Sequence, residues 1–429
     1  MRKLLRLALI VTSLSFSGCA PITSTATPPS SPGPEGALAP IAPYALSSLP
    51  SAFPKIDRRP APAYWGRGSL TSAPTYNPDS DQMWQMDLRA YDLSQLDLRY
   101  SFDDLMYADF DSQTKWPLPD RMPNAFDWQR ILEMGKNPGL GIRQLHALGI
   151  TGYGVGIAII DQTLLVDHQE YASQLRLYEE TDDIRDGLLE TQMHGPAVAS
   201  IAVGRTVGVA PDADLYYIAS ALCGTGTYES VDFACLAQSV RRILDMNTQL
   251  PKDRRIRVIS MSIGWGAESR GYSEITAAVR EAKAAGMLVI CSSVEEVHGF
   301  EFHGLGRLPL ADPDTFQSYE PGLWWARQFY ADQGSPNRLL VPMDSRTVAS
   351  PGGVDEYAFY REGGWSWSIP YIAGVFALVA QVKPTVTPDE FWALALNTGQ
   401  SIELSHEDKA IRFGPILDPV SLIGALEAN

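Results

Sequence analysis

From about residue 140 onward, short apolar runs rich in β-branched residues alternate with stretches of helical periodicity. This alternation is the strongest constraint on the fold. Val155 to Ile160 reads as a buried strand, and so do Leu215 to Ile218, Val258 to Ile263 and Met287 to Cys291. Between them, Val231 to Met246 sets Phe233, Leu236, Val240 and Ile243 at helical spacing. Ile275 to Ala285 reads as a helix stopped by Gly286, and Pro370 to Val382 as an apolar helix. Strands alternating with helices predict an α/β fold built on a doubly wound, mostly parallel sheet with helices on both faces.

The chain before residue 140 differs in character. Arg2, Lys3 and Arg6 give a basic start, and the apolar stretch Leu4 to Phe16 is too short to span a bilayer as a helix. It ends in Phe16-Ser17-Gly18-Cys19, a pattern like a bacterial lipobox. The expectation is a lipoprotein signal peptide over residues 1–18 and a lipid on Cys19. That lipid would be the only anchor, holding the folded part on a bacterial membrane outside the cytoplasm. An ordinary cleaved signal peptide is the alternative. No later segment is expected to cross a membrane. Residues 19–62 read as a Pro-rich disordered tether, since 11 of the 31 prolines fall between residues 20 and 62. Residues 63–139 are aromatic and acidic with weak periodicity, an N-terminal extension without an assigned role. The main domain is expected over residues 140–429.

The formal net charge is -16, which argues against a nucleic-acid surface, because neutralising phosphates takes clustered Lys and Arg. With Cys19 set aside, Cys223, Cys235 and Cys291 remain. Cys223 and Cys235 flank a Gly-rich turn and could pair, while Cys291 sits in an apolar run as a core thiol. Without CxxC or clustered His, no metal site is expected.

Three local contexts carry chemistry. The first is the strand ending in an acid, Ile157-Ala158-Ile159-Ile160-Asp161. The second is His194-Gly195-Pro196-Ala197, followed by Gly208-Val209-Ala210-Pro211. The third is Gly364-Trp365-Ser366-Trp367-Ser368-Ile369-Pro370. Alone, each has a plain reading as a turn former, a helix start or a cap. Together, in the order Asp…His…Ser, they point to nucleophilic catalysis.

These motifs, with Val258-Ile259-Ser260-Met261-Ser262-Ile263-Gly264, resemble those of the subtilisin-like serine proteases. The resemblance covers roughly residues 140 to 425. It implies that Asp161 orients His194, that His194 takes the Ser366 proton, and that Ser366 attacks a peptide carbonyl. It makes Ser262 and Gly264 contacts for an extended peptide or protein substrate. His168 also matches a family position, as a structural residue. No cofactor is implied; structural calcium is common in the family, but no acidic cluster here matches such a site.

The sequence also departs from the pattern. Gln162-Thr163 follow the acid where Ser or Thr and then Gly are usual, Pro196-Ala197 replace Thr-His, and Trp365 and Trp367 are bulky where small residues usually stand. In Cys291-Ser292-Ser293-Val294-Glu295, Glu295 stands at the position of the oxyanion-donor Asn. An ionised Glu295 would repel the oxyanion, while a buried, protonated one would donate to it; the alternatives are that Ser292 or Ser293 donates, or that Glu295 points away. The expected function is a membrane-anchored serine endopeptidase. Its competitors are a catalytically silent peptide-binding or regulatory lipoprotein and an esterase-type hydrolase.

Overall fold

The computed structural model describes residues 38–57, 66–80, 82–181, 193–220, 231–332 and 338–427. Six strands form the central sheet: β1 (Lys55–Ile56), β2 (Gly156–Asp161), β3 (Leu175–Glu180), β4 (Asp214–Ala219), β5 (Ile256–Ser260) and β6 (Leu288–Ile290). Their spatial order is β1-β3-β4-β2-β5-β6, and every pairing is parallel. Every residue of β2 and of β4 is buried, so both faces of the sheet's centre are covered. This explains why these strands read as unbroken apolar runs rather than alternating ones.

Four helices do most of the covering: α1 (His194–Val203), α2 (Phe233–Gln249), α3 (Tyr272–Ala284) and α4 (Trp365–Val382). They pack in two pairs, α1 with α4 and α2 with α3. Asp232 caps α2 by accepting the Ala234 N–H at 3.0 Å. Gly286 follows α3 at φ 80, a left-handed turn that glycine adopts without strain. By length and composition α4 could cross a membrane, which no segment after the leader was expected to do. However, 83% of its 18 residues are buried inside the protein, so it is a core helix.

A second, five-stranded sheet includes Glu301–Arg307 and Arg338–Pro342 as parallel neighbours. The N-terminal extension is sewn into the domain. Its strand Phe110–Asp111 pairs with Tyr357–Tyr360, and Met86, Leu88, Phe110 and Phe126 share a smaller core with Val207 and Phe359.

Part of the expected tether is ordered. Within residues 38–57, the Ile41 N–H donates to the Leu148 carbonyl at 2.7 Å, and Phe53 is buried with its ring 5.9 Å from that of Tyr216. β1 lies along β3, which would otherwise be an open edge with unpaired backbone groups. Apolar side chains among the prolines supply what a polar tether lacks. The leader, Cys19 and Cys223 lie outside the described residues. Cys235 is disulfide-bonded, and Cys291 is buried in the core. Among the described residues, no cluster of His, Cys, Asp or Glu is arranged to hold a metal.

Candidate active site

β2 is where the winding of the sheet reverses: β4 lies on one side of it and β5 on the other. In such sheets the crevice opens beyond the carboxyl ends of the strands at this point. Asp161 is the last residue of β2 and arrives there with its side chain 5% exposed. His194 opens α1, and its Nδ1–H donates to Asp161 Oδ1 at 2.7 Å.

Gly195 makes this approach possible. A Cβ there would fall 2.5 Å from the Thr163 carbonyl oxygen and 2.8 Å from that of Gln162. The Tyr217 hydroxyl fixes the same loop by donating to the Gln162 carbonyl at 2.5 Å. Burial pulls the His194 pKa down, but the charge and hydrogen bond of Asp161 outweigh it and leave the imidazole above its ordinary value. Trp367, the bulky departure from the usual motif, packs beside the His194 ring at 5.6 Å.

Ser366 is the second residue of α4, after an extended Gly364. The first amides of a helix lack intrahelical acceptors, so the Ser366 N–H faces the site as a donor at the positive end of the helix. Pro370 sits inside α4 and has no N–H to give to the carbonyl four residues earlier, which is that of Ser366. The Ser262 hydroxyl takes over this role, donating to the Ser366 carbonyl at 3.0 Å. A residue of the expected substrate strand is thereby tied to the backbone of the expected nucleophile.

Asp161, His194, Ser262, Gly264 and Ser366 all line one cleft of about 360 Å³, with Ser292, Trp324 and Trp365 as further walls. The Ser366 hydroxyl makes no hydrogen bond among the described residues, and none joins it to His194. Residues 261–264 run on past β5, joined on one side to the β6 segment, with the Met261 N–H donating to the Ile290 carbonyl at 2.9 Å and the Ser292 N–H to the Ile263 carbonyl at 3.0 Å. Gly264 lets this segment pass close to the next one, since a Cβ there would lie 2.9 Å from that of Ser292.

Glu295 does not join them. It is exposed, on the short helix Val294–His298, and lines a neighbouring cavity of about 190 Å³ that shares the walls Ser292 and Trp365 with the cleft. Of the expected arrangements, the buried one is not seen and the one with Glu295 pointing away is, because the chain turns into a helix after β6 and leaves the side chain exposed. Ser293 is also committed, since its hydroxyl accepts from the Trp265 N–H and donates to the Trp265 carbonyl, both at 2.7 Å. Ser292 borders the cleft, and the Ser366 N–H, in the first turn of α4, has no intrahelical acceptor, so both are candidate donors.

His168 is fully buried, with Nε2 2.9 Å from the Glu356 carbonyl and its pKa lowered by burial, as a structural residue. Sequence reasoning missed Trp324 as a cleft wall, because it belongs to no motif with a fixed spacing, whereas Ser292, one of the candidate donors, does line the cleft.

Residues 152–320 match the family model described as the subtilase family. That stretch contains Asp161, His194, Ser262 and Gly264, while Ser366 lies beyond its end. The extracellular serine proteinase of Thermus sp. (strain Rt41A) is 27% identical over 246 residues, covering 56% of this chain and 54% of that protein. Subtilisin E of Bacillus subtilis (strain 168) is 26% identical over 251 residues, covering 57% of this chain and 60% of its own. The chain thus spans little more than half the length of these relatives. The solved prenylagaramide maturation protease PagA aligns with 67% of this chain and 98% of its own at 14% identity, with a TM-score of 0.45, a likeness too loose to carry an argument.

Proposed function

Because this chain belongs to the subtilase family, we propose that it is a serine endopeptidase in which Asp161, His194 and Ser366 act as the catalytic triad. The observation that carries this reading is the 2.7 Å Asp161–His194 hydrogen bond at the mouth of the cleft that also holds Ser366. Asp161 accepts the Nδ1–H, which fixes the tautomer with Nε2 unprotonated. Nε2 takes the Ser366 proton as Oγ bonds to the scissile carbonyl carbon, and returns it to the leaving amine. Water then repeats the sequence on the acyl-enzyme. The Ser366 N–H and the Ser292 hydroxyl stabilise the oxyanion. An extended substrate pairs its backbone along Ser262 to Gly264.

The Cys19 context supports a lipid-anchored protein outside the cytoplasm. The Cys235 disulfide supports the same compartment, since such bonds persist where the surroundings are oxidising. Mass spectrometry of the mature N-terminus tests the anchor, and a chain beginning after Cys19 would refute it. The activity is tested by cleavage of an unfolded protein substrate. Cleavage by the unaltered chain and none by Ser366→Ala is expected. Equal cleavage by both would refute the assignment, and binding without cleavage by either would favour a silent peptide-binding relative.

A further inference from the structure

Two tryptophans stand exposed at the rim of the cleft, and one of them comes from the N-terminal extension. Trp84 is 46% exposed and Trp324 41% exposed, with ring centroids 6.0 Å apart in an edge-to-face pair. Trp324 lines the cleft with Ser366 and leans over Gly364, where a Cβ would lie 3.2 Å from its ring.

Trp84 is held there deliberately. Its φ is 51, a left-handed conformation that costs energy for any side chain but glycine. Its N–H donates to Glu362 Oε2 at 2.7 Å, and its indole N–H to the Glu362 carbonyl at 3.2 Å. Glu362 lies four residues before Ser366, and Asp109 of the extension accepts from the backbone N–H groups of Arg361 and Glu362 at 2.7 and 3.4 Å. The extension therefore grips the segment leading into the expected nucleophile.

With Glu362 holding both N–H groups of Trp84, what Trp84 offers to solvent is apolar ring surface, and the Trp324 ring extends that surface toward the cleft. Trp84 belongs to neither hydrophobic core, so packing does not explain a strained, exposed tryptophan here. An exposed apolar patch continuous with a cleft is a recognition surface.

We propose that the N-terminal extension is a permanent part of the substrate site, with Trp84 and Trp324 forming an aromatic subsite that takes an apolar or aromatic side chain of the peptide. This rests on the reading of the cleft as a peptide site.

The test is equilibrium binding to the non-cleaving Ser366→Ala chain of peptide pairs that differ only by Phe or Ala at one position, scanned along the peptide. At one position the Phe peptide is expected to bind about 10-fold tighter, and Trp84→Gly should abolish that ratio while leaving the Ala peptide's affinity within about twofold. Glycine accepts the positive φ, so thermal unfolding of Trp84→Gly should be unchanged or occur at higher temperature, separating loss of the subsite from loss of the fold. An unchanged Phe-to-Ala ratio in Trp84→Gly, or no aromatic preference at any position, would overturn the proposal. So would peptide mapping of the fluorophosphonate-labelled unaltered chain that finds Trp84 removed. Failure of the endopeptidase reading is seen separately, as a chain that takes no label yet binds peptide.

Discussion

The two halves of the candidate triad are built differently. Asp161 and His194 are joined at 2.7 Å, the acid almost fully buried and the imidazole pressed close by Gly195 and flanked by Trp367. Ser366 is half-exposed, its hydroxyl unbonded among the described residues, and only its carbonyl is held, by Ser262. The base is oriented by the fold itself. In the proposed mechanism the contact between His194 and Ser366 would form on substrate binding, since catalytic hydrogen bonds often tighten only in the bound state.

The contrast is broken most severely at Asp161. Asp161→Asn keeps the shape of the closed half but no longer fixes the tautomer, and kcat should fall on the order of 10⁴-fold. It also removes the charge that raises the His194 pKa, leaving burial to lower it. Activity requires neutral His194 and is lost as pH falls through its pKa. The acid limb of the kcat/KM profile should therefore move to lower pH in the variant. An acid limb that stays in place would mean that another group sets it.

Asp344 supports the open half from behind. It is buried and accepts the backbone N–H groups of Leu323 and Gly363, both at 2.9 Å, on the two loops that carry Trp324 and lead into Ser366. Burial pushes its carboxyl up to about 6, against partial relief from Arg361. The folded protein thus holds this proton more tightly than the unfolded chain does. The resulting stability is fully present below the unfolded carboxylate value and is lost as pH rises through about 6. A shift of that size corresponds to about 3 kcal/mol. Asp344→Asn should flatten the stability profile across this window in denaturant titrations at a series of pH values. An unaltered slope would remove Asp344 from the account.

Smaller effects sharpen the comparison. Ser262→Ala leaves the Ser366 carbonyl without its donor, and about 1 kcal/mol of stability should be lost, with a several-fold slower reaction at Ser366. If the open half is loosely held, that rate loss should exceed what the fall in stability explains. Glu295→Gln should leave the pH profile of peptide cleavage superimposable on that of the unaltered chain, because the side chain lies off the cleft. A changed alkaline limb would bring Glu295 back as an oxyanion group.

The central sheet was legible because β2 and β4 are buried on both faces and so read as unbroken apolar runs. The helix α1, buried from Gly195 onward, and the amphipathic α2 could likewise be recognised from pattern. Asp161, His194 and Ser366 could be named because each ends or begins one of these elements, where spacing along the chain translates directly into position.

The placement of Glu295 was not legible. It depends on whether the chain after β6 stays extended or turns into a helix, and a one-turn helix leaves almost no periodic signal. The extension was opaque for a related reason: its strands are two residues long, and its order comes from long-range pairing such as Asp109 with Arg361 and Glu362. The ordered part of the expected tether was hidden because prolines are interspersed among its core-packing apolar residues, Leu38, Ile41, Leu49, Phe53 and Ile56, which follow no regular period. The bond from Ser262 to Ser366 follows from Pro370, but only once Pro370 is known to lie inside the helix.

The central claim is that the closed half activates Ser366 and no other residue. The direct measurement is mass mapping of the adduct formed by a fluorophosphonate probe on the folded, unaltered chain. The account predicts a single adduct on Ser366, absent from Ser366→Ala and much slower to form in Asp161→Asn. An adduct on another serine, or no adduct on a chain that is folded and binds peptide, would contradict it.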